Sequence, residues 1–140
     1  MKSRESLLRL KRFRVEELKR RLATLDEIRA DLDSKLADLD SLVARERHRA
    51  SEGEIGRLAL PTLLRSIELR RTNIQNTKEG LERERGVHER DLAVACEDLQ
   101  NFELSEEQRQ RRAADAQARS AQSRREELTM LRHLRKHAVR

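Results

Sequence analysis

The sequence predicts an all-α protein: two long helices in an antiparallel coiled-coil hairpin with a C-terminal helical overhang. Charged residues make up 41% of the chain and aromatic residues only 1%, which is typical of long helices and not of a compact core. Apolar residues recur at alternating steps of three and four, the coiled-coil spacing. One short break divides two uniformly charged halves. Since 140 residues correspond to one domain, we expect a single coiled-coil domain over residues 1–140.

Helix 1, expected over about residues 3–50, carries an apolar seam five heptads long. Nine of its eleven seam positions are Leu or Val, and Ile28 lies beside the polar position at Arg29. A disordered segment, the alternative for so polar a chain, would not produce this spacing. The seam comprises Leu8, Lys11, Val15, Leu18, Leu22, Leu25, Arg29, Leu32, Leu36, Leu39 and Val43.

The break is the stretch "GEIGRLALP", residues 53–61, which holds two of the four glycines and the only proline. We expect a tip over residues 51–61, with Pro61 in the first turn of helix 2. Proline suits that place because its missing N–H would have no partner within the helix there. The alternative is a linker between two domains.

Helix 2, expected over about residues 62–137, has a weaker seam. Ile67, Ile74 and Leu81 follow one another at steps of seven, but the companion positions carry cations. The step of eleven residues from Leu81 to Leu92 suggests a local departure from the heptad. The companion cations are Arg71, Lys78 and Arg85.

The two seams match if paired residue numbers add to about 110, as in an antiparallel hairpin. Val43 then faces Ile67, and Leu18 faces Leu92. A linker between domains gives no reason for this match, so the sequence favours a hairpin. The last 31 residues are left without a partner in the chain, and a continuous helix there would overhang by roughly 45 Å at ~1.5 Å per residue.

Charge is concentrated at the two ends of the chain. Residues 1–22 carry nine basic and three acidic side chains, and residues 128–140 carry four basic side chains and no acid. Residues 23–104 hold 13 basic and 18 acidic side chains, a net charge of −5. Because a hairpin places both ends of the chain toward one pole, we expect that pole to be basic. Leu128, Leu131 and Leu134 form a stripe on the C-terminal basic helix, a candidate contact surface.

The sequence lacks the patterns of catalytic, metal and cofactor sites. His133 and His137 have a spacing that can hold zinc, but no Asp, Glu or Cys within the last 13 residues completes the site. His88 is expected to set register at the seam, and Cys96 has no base placed to activate it. "GEIG" lacks the Lys and the strand context of a phosphate loop. We expect no enzyme, no metal and no cofactor.

Membrane insertion and nucleic-acid binding are also disfavoured. No window approaches the roughly 18 apolar residues that span a bilayer, and the N-terminus lacks the apolar run of a secretory signal. Basic helices can contact phosphates, but acidic residues are interleaved and stacking aromatics are absent. We therefore expect no nucleic-acid partner.

The opening "MKSRESLLRLKRFRVEELKRR", the tip near Pro61 and the segment from Leu92 to Phe102 together resemble the FliJ family. That family belongs to the cytoplasmic part of the flagellar type III export apparatus. The resemblance implies a non-catalytic stalk in the central hole of a hexameric export ATPase. It would link the ATPase to the export gate, escort export chaperones, and lie in the cytoplasm at the inner membrane through protein partners.

On this resemblance, two sets of residues are candidate contacts. The set near the tip, for the gate or a chaperone, is Arg70, Arg71 and Ile74. The set for the ATPase ring is Lys11, Arg12, Arg14, Leu128, Leu131, Arg132, Leu134, Arg135 and Lys136. Two other classes of function stay open: a generic coiled-coil scaffold and a basic helical nucleic-acid-binding protein.

Overall fold

The computed structural model describes residues 2–138, and over that range it consists of two α-helices and no strand. Helix α1 spans Lys2–Glu52 and helix α2 spans Glu54–Ala138. Their 51 and 85 residues correspond to about 75 and about 125 Å at ~1.5 Å per residue. The two helices pack against each other, which confirms the all-α helical hairpin.

Charges at the ends of both helices favour helix formation. Glu5 lies in the first turn of α1 and Arg49 in its last turn. Helix α2 begins with Glu54 and ends with three side chains that are basic or can become so. Each sign is stabilising at its own end because it opposes the partial charge of the helix dipole there.

The apolar seam of α1 is buried against α2, as its spacing predicted. Leu18 is the most deeply buried, with no exposed surface. Ala50 extends the seam almost to the end of the helix, at 3% exposure. The buried apolar residues of α1 are Val15, Leu18, Leu25, Leu32, Leu39 and Ala50.

The seam of α2 is continuous, so the predicted departure from the heptad between Leu81 and Leu92 is wrong. Arg85 and His88 fill the intervening positions and are half-buried. They can occupy a seam because each presents an apolar body and a polar end. The seam positions, all buried or half-buried, are Leu64, Ile67, Arg71, Ile74, Lys78, Leu81, Arg85, His88, Leu92, Ala95, Leu99, Phe102 and Glu106.

Ion pairs between the helices confirm the predicted register. Arg4 pairs with Glu106, whose numbers add to 110, over 3.5 Å. Arg29 pairs with Glu82, whose numbers add to 111, over 3.1 Å. The register near 110 therefore holds from the middle of α1 to its N-terminal end.

The turn is much shorter than the tip expected over residues 51–61. Only Gly53 separates the helices, and α2 begins eight residues before the expected position 62. The amide of Arg57 already donates to the Gly53 carbonyl over 3.3 Å. Gly56 explains the tightness, because a Cβ atom there would lie 3.1 Å from the Cα of Ala50. The absence of a side chain lets the first turn of α2 approach α1 closely.

Pro61 lies inside α2 and not in its first turn, so that prediction is also wrong. Pro61 has no amide hydrogen to donate to the carbonyl of Arg57, four residues earlier. It lies on the exposed side of the helix. The α2 seam resumes at Leu64, three residues later, so packing against α1 holds the helix beyond the proline.

The overhang is present as expected. Every side chain of residues 107–138 is exposed, whereas Glu106 is still half-buried. These 32 residues would extend about 48 Å beyond the packed part of the hairpin at ~1.5 Å per residue.

Candidate partner-binding surfaces

The α1 members of the predicted ring-contact set are already paired with carboxylates. Lys11 Nζ lies 2.5 Å from Asp98 Oδ2 and 5.6 Å from the ring centre of Phe102. Arg12 pairs with Glu103 over 3.5 Å. These contacts neutralise part of the positive charge at the start of α1.

Arg14 completes the predicted α1 part of the ring-contact set. It pairs with Glu17, on the same helix, over 3.6 Å. All three α1 cations of the set therefore have carboxylate partners. A protein partner would have to compete with those partners for the charge.

The C-terminal part of the same set lies on the overhang and is free of such partners. Within residues 2–138, Arg132, Arg135 and Lys136 make no ion pair with a carboxylate. Leu128, Leu131 and Leu134 are 54%, 60% and 58% exposed. Met130, which the sequence analysis did not include, is exposed to 67% beside them.

The structure does not bring the two parts of the predicted ring-contact set together. Lys11 lies beside Asp98, and Arg132 is 34 residues further along α2. That separation is about 50 Å at ~1.5 Å per residue. The single basic pole expected from the sequence is therefore two surfaces, one paired and one free, because the overhang carries the second away.

The set predicted near the tip is largely internal. Arg71 is half-buried and donates from Nη2 to Asp40 of α1. Ile74 packs against the core cluster of Leu25, Leu32 and Leu81. Both residues contribute to packing and pairing within the hairpin, so a partner that bound them would have to compete with those contacts.

Arg70 is the exposed member of that set, and it makes no ion pair with a described residue. It lies 17 residues after Gly53, about 25 Å along α2 at ~1.5 Å per residue. The turn itself exposes two apolar side chains that the sequence analysis missed. Ile55 is 85% exposed and Leu58 is 76% exposed. They were missed because residues 51–61 were expected to be a tip, where helical spacing has no meaning.

A second group that the sequence analysis missed consists of three aspartates on α1. Arg85 Nε donates to Asp26 Oδ1 over 2.7 Å, and this hydrogen bond lowers the pKa of the Asp26 carboxyl and raises that of Arg85. Asp33 and Asp40 repeat the arrangement with Lys78 and Arg71. The signal was present, because both the aspartates and the cations recur at steps of seven.

The side chains with potential for metal or thiol chemistry do not form a larger cluster. His133 and His137 bring their Nε2 atoms to 3.1 Å. Across residues 2–138, no group of three or more His, Cys, Asp or Glu side chains is arranged to hold a metal ion. Cys96 is exposed, and His88 is half-buried on the seam with Nε2 3.6 Å from Glu84.

Neither helix contains a stretch hydrophobic enough to cross a membrane, over the residues that the structure describes.

Comparison with known proteins finds no matching family profile, no matching curated protein and no matching solved structure.

Proposed function

We propose that the chain is a non-catalytic stalk or adaptor that joins protein partners at its two ends. The observation that carries this proposal is the overhang. Residues 107–138 continue α2 with every side chain exposed, and the last turns combine free cations with four exposed apolar side chains. A partner protein would stabilise such a helix, because its apolar face packs against nothing within residues 2–138.

The hairpin supplies the second property of a stalk, two distinct ends. The closed end exposes Ile55 and Leu58 at the turn. The open end carries the overhang with Arg132, Arg135 and Lys136. Ion pairs and a continuous seam connect the two ends, so a force or a binding event at one end can be transmitted along a single packed unit.

The FliJ resemblance suggests which partners these are. The hexameric flagellar export ATPase would receive the basic open end, and the export gate or an export chaperone would contact the closed end. The location is then cytoplasmic, at the inner membrane through protein partners. On the residues described above, Arg132, Arg135, Lys136 and the exposed leucines are the ring contacts, and Arg70, Ile55 and Leu58 are the contacts at the other end.

Two triple variants test the open end. Replacing Arg132, Arg135 and Lys136 with Gln should weaken binding to the ATPase ring and reduce ATPase stimulation, because these cations are free to steer an acidic surface. The matched variant replaces Lys11, Arg12 and Arg14 with Gln. It removes the same charge, but from residues that already have partners, so it should weaken binding less.

The measurement is ring binding at several salt concentrations, by surface plasmon resonance with purified full-length protein. The C-terminal triple variant should lose most of the salt dependence of the association rate. Equal ring binding by the C-terminal variant and the unmodified protein would contradict the proposed docking of the overhang in the ring. If instead duplex DNA binds at about 150 mM salt and the same variant abolishes it, the nucleic-acid alternative is correct.

A further inference from the structure

The seam of α2 does not stop where α1 begins. Inside the hairpin it runs in steps of three and four to Phe102 and Glu106, beside the first turns of α1. The same steps continue through the overhang, where no part of α1 lies opposite. The continued seam positions are Arg109, Ala113, Ala116, Ser120, Ser123, Glu127, Met130, Leu134 and His137.

The side chains on the continued seam suit the approach of another helix. Four consecutive positions, Ala113, Ala116, Ser120 and Ser123, are small, and small residues allow two helix backbones to come close. Met130 and Leu134 follow, at 67% and 58% exposure. They are large enough to anchor a partner helix at its end.

The apolar end of the seam is wider than two residues. Leu131 is 60% exposed and lies one position after Met130, on the edge of the same seam. Leu128 is exposed to a similar extent, 54%, but it lies outside the seam, one position after Glu127 and on the other side of it from Met130. Thr129, the next residue after Leu128, is also exposed and off the seam, and it belongs to no proposed contact set, so it serves as the control position.

The charge of the overhang selects among possible occupants. Residues 107–138 carry nine basic and four acidic side chains, a net charge of +5. Two copies of this segment would bring +5 against +5, which opposes a dimer through this face. A nucleic acid would use the cations but leave the exposed Met130 and Leu134 without a partner. An acidic helix with an apolar face matches both features.

We propose that residues 109–137 form a docking face for an acidic amphipathic α-helix of a partner protein, which occupies the place that α1 occupies in the hairpin. This inference rests on the proposed function, which places a partner at this end. It extends that function by specifying the structural element that the partner presents. The partner helix would pack Leu-like side chains on the seam and place carboxylates toward the cations that flank it.

The probe is a synthetic peptide of about four heptads with Leu at the a and d positions and Glu at e and g. The glutamates oppose self-association of the peptide by like-charge repulsion. A fluorescein-labelled peptide should bind full-length protein, measured by fluorescence anisotropy at low salt. A peptide with Lys in place of every Glu should bind at least tenfold more weakly, because it meets a face of the same charge sign.

A matched pair of variants tests the seam itself. Leu134→Asp places a carboxylate on the seam and should weaken binding of the acidic peptide about tenfold or more, as loss of a buried apolar anchor does. Thr129→Asp places a carboxylate at an exposed position off the seam, at a residue outside the proposed ring-contact set. It should change the affinity less than about threefold, through charge alone. A circular dichroism spectrum identical to that of the unmodified protein would show that the helix persists in both variants.

Several outcomes overturn the inference. Equal losses in Leu134→Asp and Thr129→Asp would mean that the peptide does not bind along the seam. A dimer in sedimentation velocity that Leu134→Asp dissociates would assign the face to a second copy. Duplex DNA that displaces the peptide and binds Leu134→Asp normally would assign it to phosphates. None of these measurements uses the ATPase, so failure here is distinguishable from failure of ring binding in the C-terminal triple variant.

Discussion

Arg85 of α2 donates from Nε to Oδ1 of Asp26 of α1 over 2.7 Å, across the seam of the hairpin. The pair is the first of three that repeat at steps of seven on both helices. Each member of the series joins a half-buried cation on α2 to an exposed aspartate on α1. The other two pairs are Asp33 with Lys78 and Asp40 with Arg71.

The Asp26 pair should make hairpin stability depend on pH in one direction. The hydrogen bond from Arg85, assisted by the charges of Arg85 and Arg29, lowers the pKa of Asp26 below its ordinary value of 3.8. A carboxyl whose pKa is lower in the folded state contributes stability above its unfolded pKa, and the contribution is lost as pH falls through the folded pKa. Asp26→Asn should therefore lower the melting temperature at pH 7 and make little difference near pH 2.

The measurement is thermal unfolding by circular dichroism between pH 7 and pH 2. Asp38→Asn is the control, because Asp38 is exposed on the same helix and has no ion-pair partner within residues 2–138. A melting-temperature difference for Asp26→Asn that persists at pH 2 would show that the charge of Asp26 is not its source.

Reversing one charge of the middle pair should be repaired by reversing the other. Lys78→Asp places a carboxylate against Asp33 and should destabilise the hairpin by about 0.5–1 kcal/mol, the size typical of partly exposed pairs. Asp33→Lys together with Lys78→Asp should restore most of that loss. A double-mutant cycle from urea unfolding gives the coupling energy. A coupling energy near zero would mean that the ion pair is a consequence of how the helices align and does not stabilise that alignment.

Leu25 should contribute strongly to stability because it lies in the core cluster with Leu32 and Leu81, at 7% exposure. Leu25→Ala should cost about 2–3 kcal/mol of unfolding free energy. Leu10→Ala is the matched control on the same helix, where the side chain is 63% exposed, and should change stability by less than about 0.5 kcal/mol. Similar losses for both variants in chemical denaturation would contradict the seam described for α1.

Gly56 should resist a substitution that another helical glycine accepts. In Gly56→Ala the new Cβ would meet the Cα of Ala50 and the carbonyl oxygen of Arg49 at 3.1 Å, and neither is a flexible side-chain atom. The turn must open, so the melting temperature should fall. In Gly80→Ala the nearest atom is Nη2 of Arg83 at 3.8 Å, an ordinary contact.

The same change at Gly80 should raise stability by about 0.5–1 kcal/mol, because alanine loses less backbone entropy than glycine in a helix. Parallel melts of the two variants give opposite signs if the close approach at Gly56 is correct. A stabilising Gly56→Ala would mean that the first turn of α2 does not rest on α1.

The extent of the seams could be predicted from the sequence because burial in a coiled coil is a periodic property. Leu18 and Leu25 in α1, and Ile67 and Leu81 in α2, lie where the steps of three and four placed them. The register followed to within about a turn, since a sum near 110 brings seam onto seam over the length of α1 and fits the position of the break. The exposed overhang then followed from the difference in length of the two helices.

The candidate sites were less predictable, because a side chain's availability depends on its neighbours across the hairpin. Arg71 looked like a surplus cation in the sequence, but Asp40 lies opposite it. Lys11 and Arg132 looked like one basic pole, but a continuous α2 separates them by about 50 Å at ~1.5 Å per residue. Local composition carries no information about either relationship.

The sequence by itself determined two long amphipathic helices and, to within about a turn, the register between them, since heptad spacing fixes which side chains must leave water. The tertiary structure decided how the chain reverses. Gly53 alone forms the turn, Gly56 packs on Ala50, and Pro61 remains inside α2 because packing on either side of it holds the helix together. The tertiary structure also decided which cations form ion pairs within the hairpin and which remain unpaired on the overhang. Ion pairing depends on which residue lies opposite in space and not on which residue comes next in the chain.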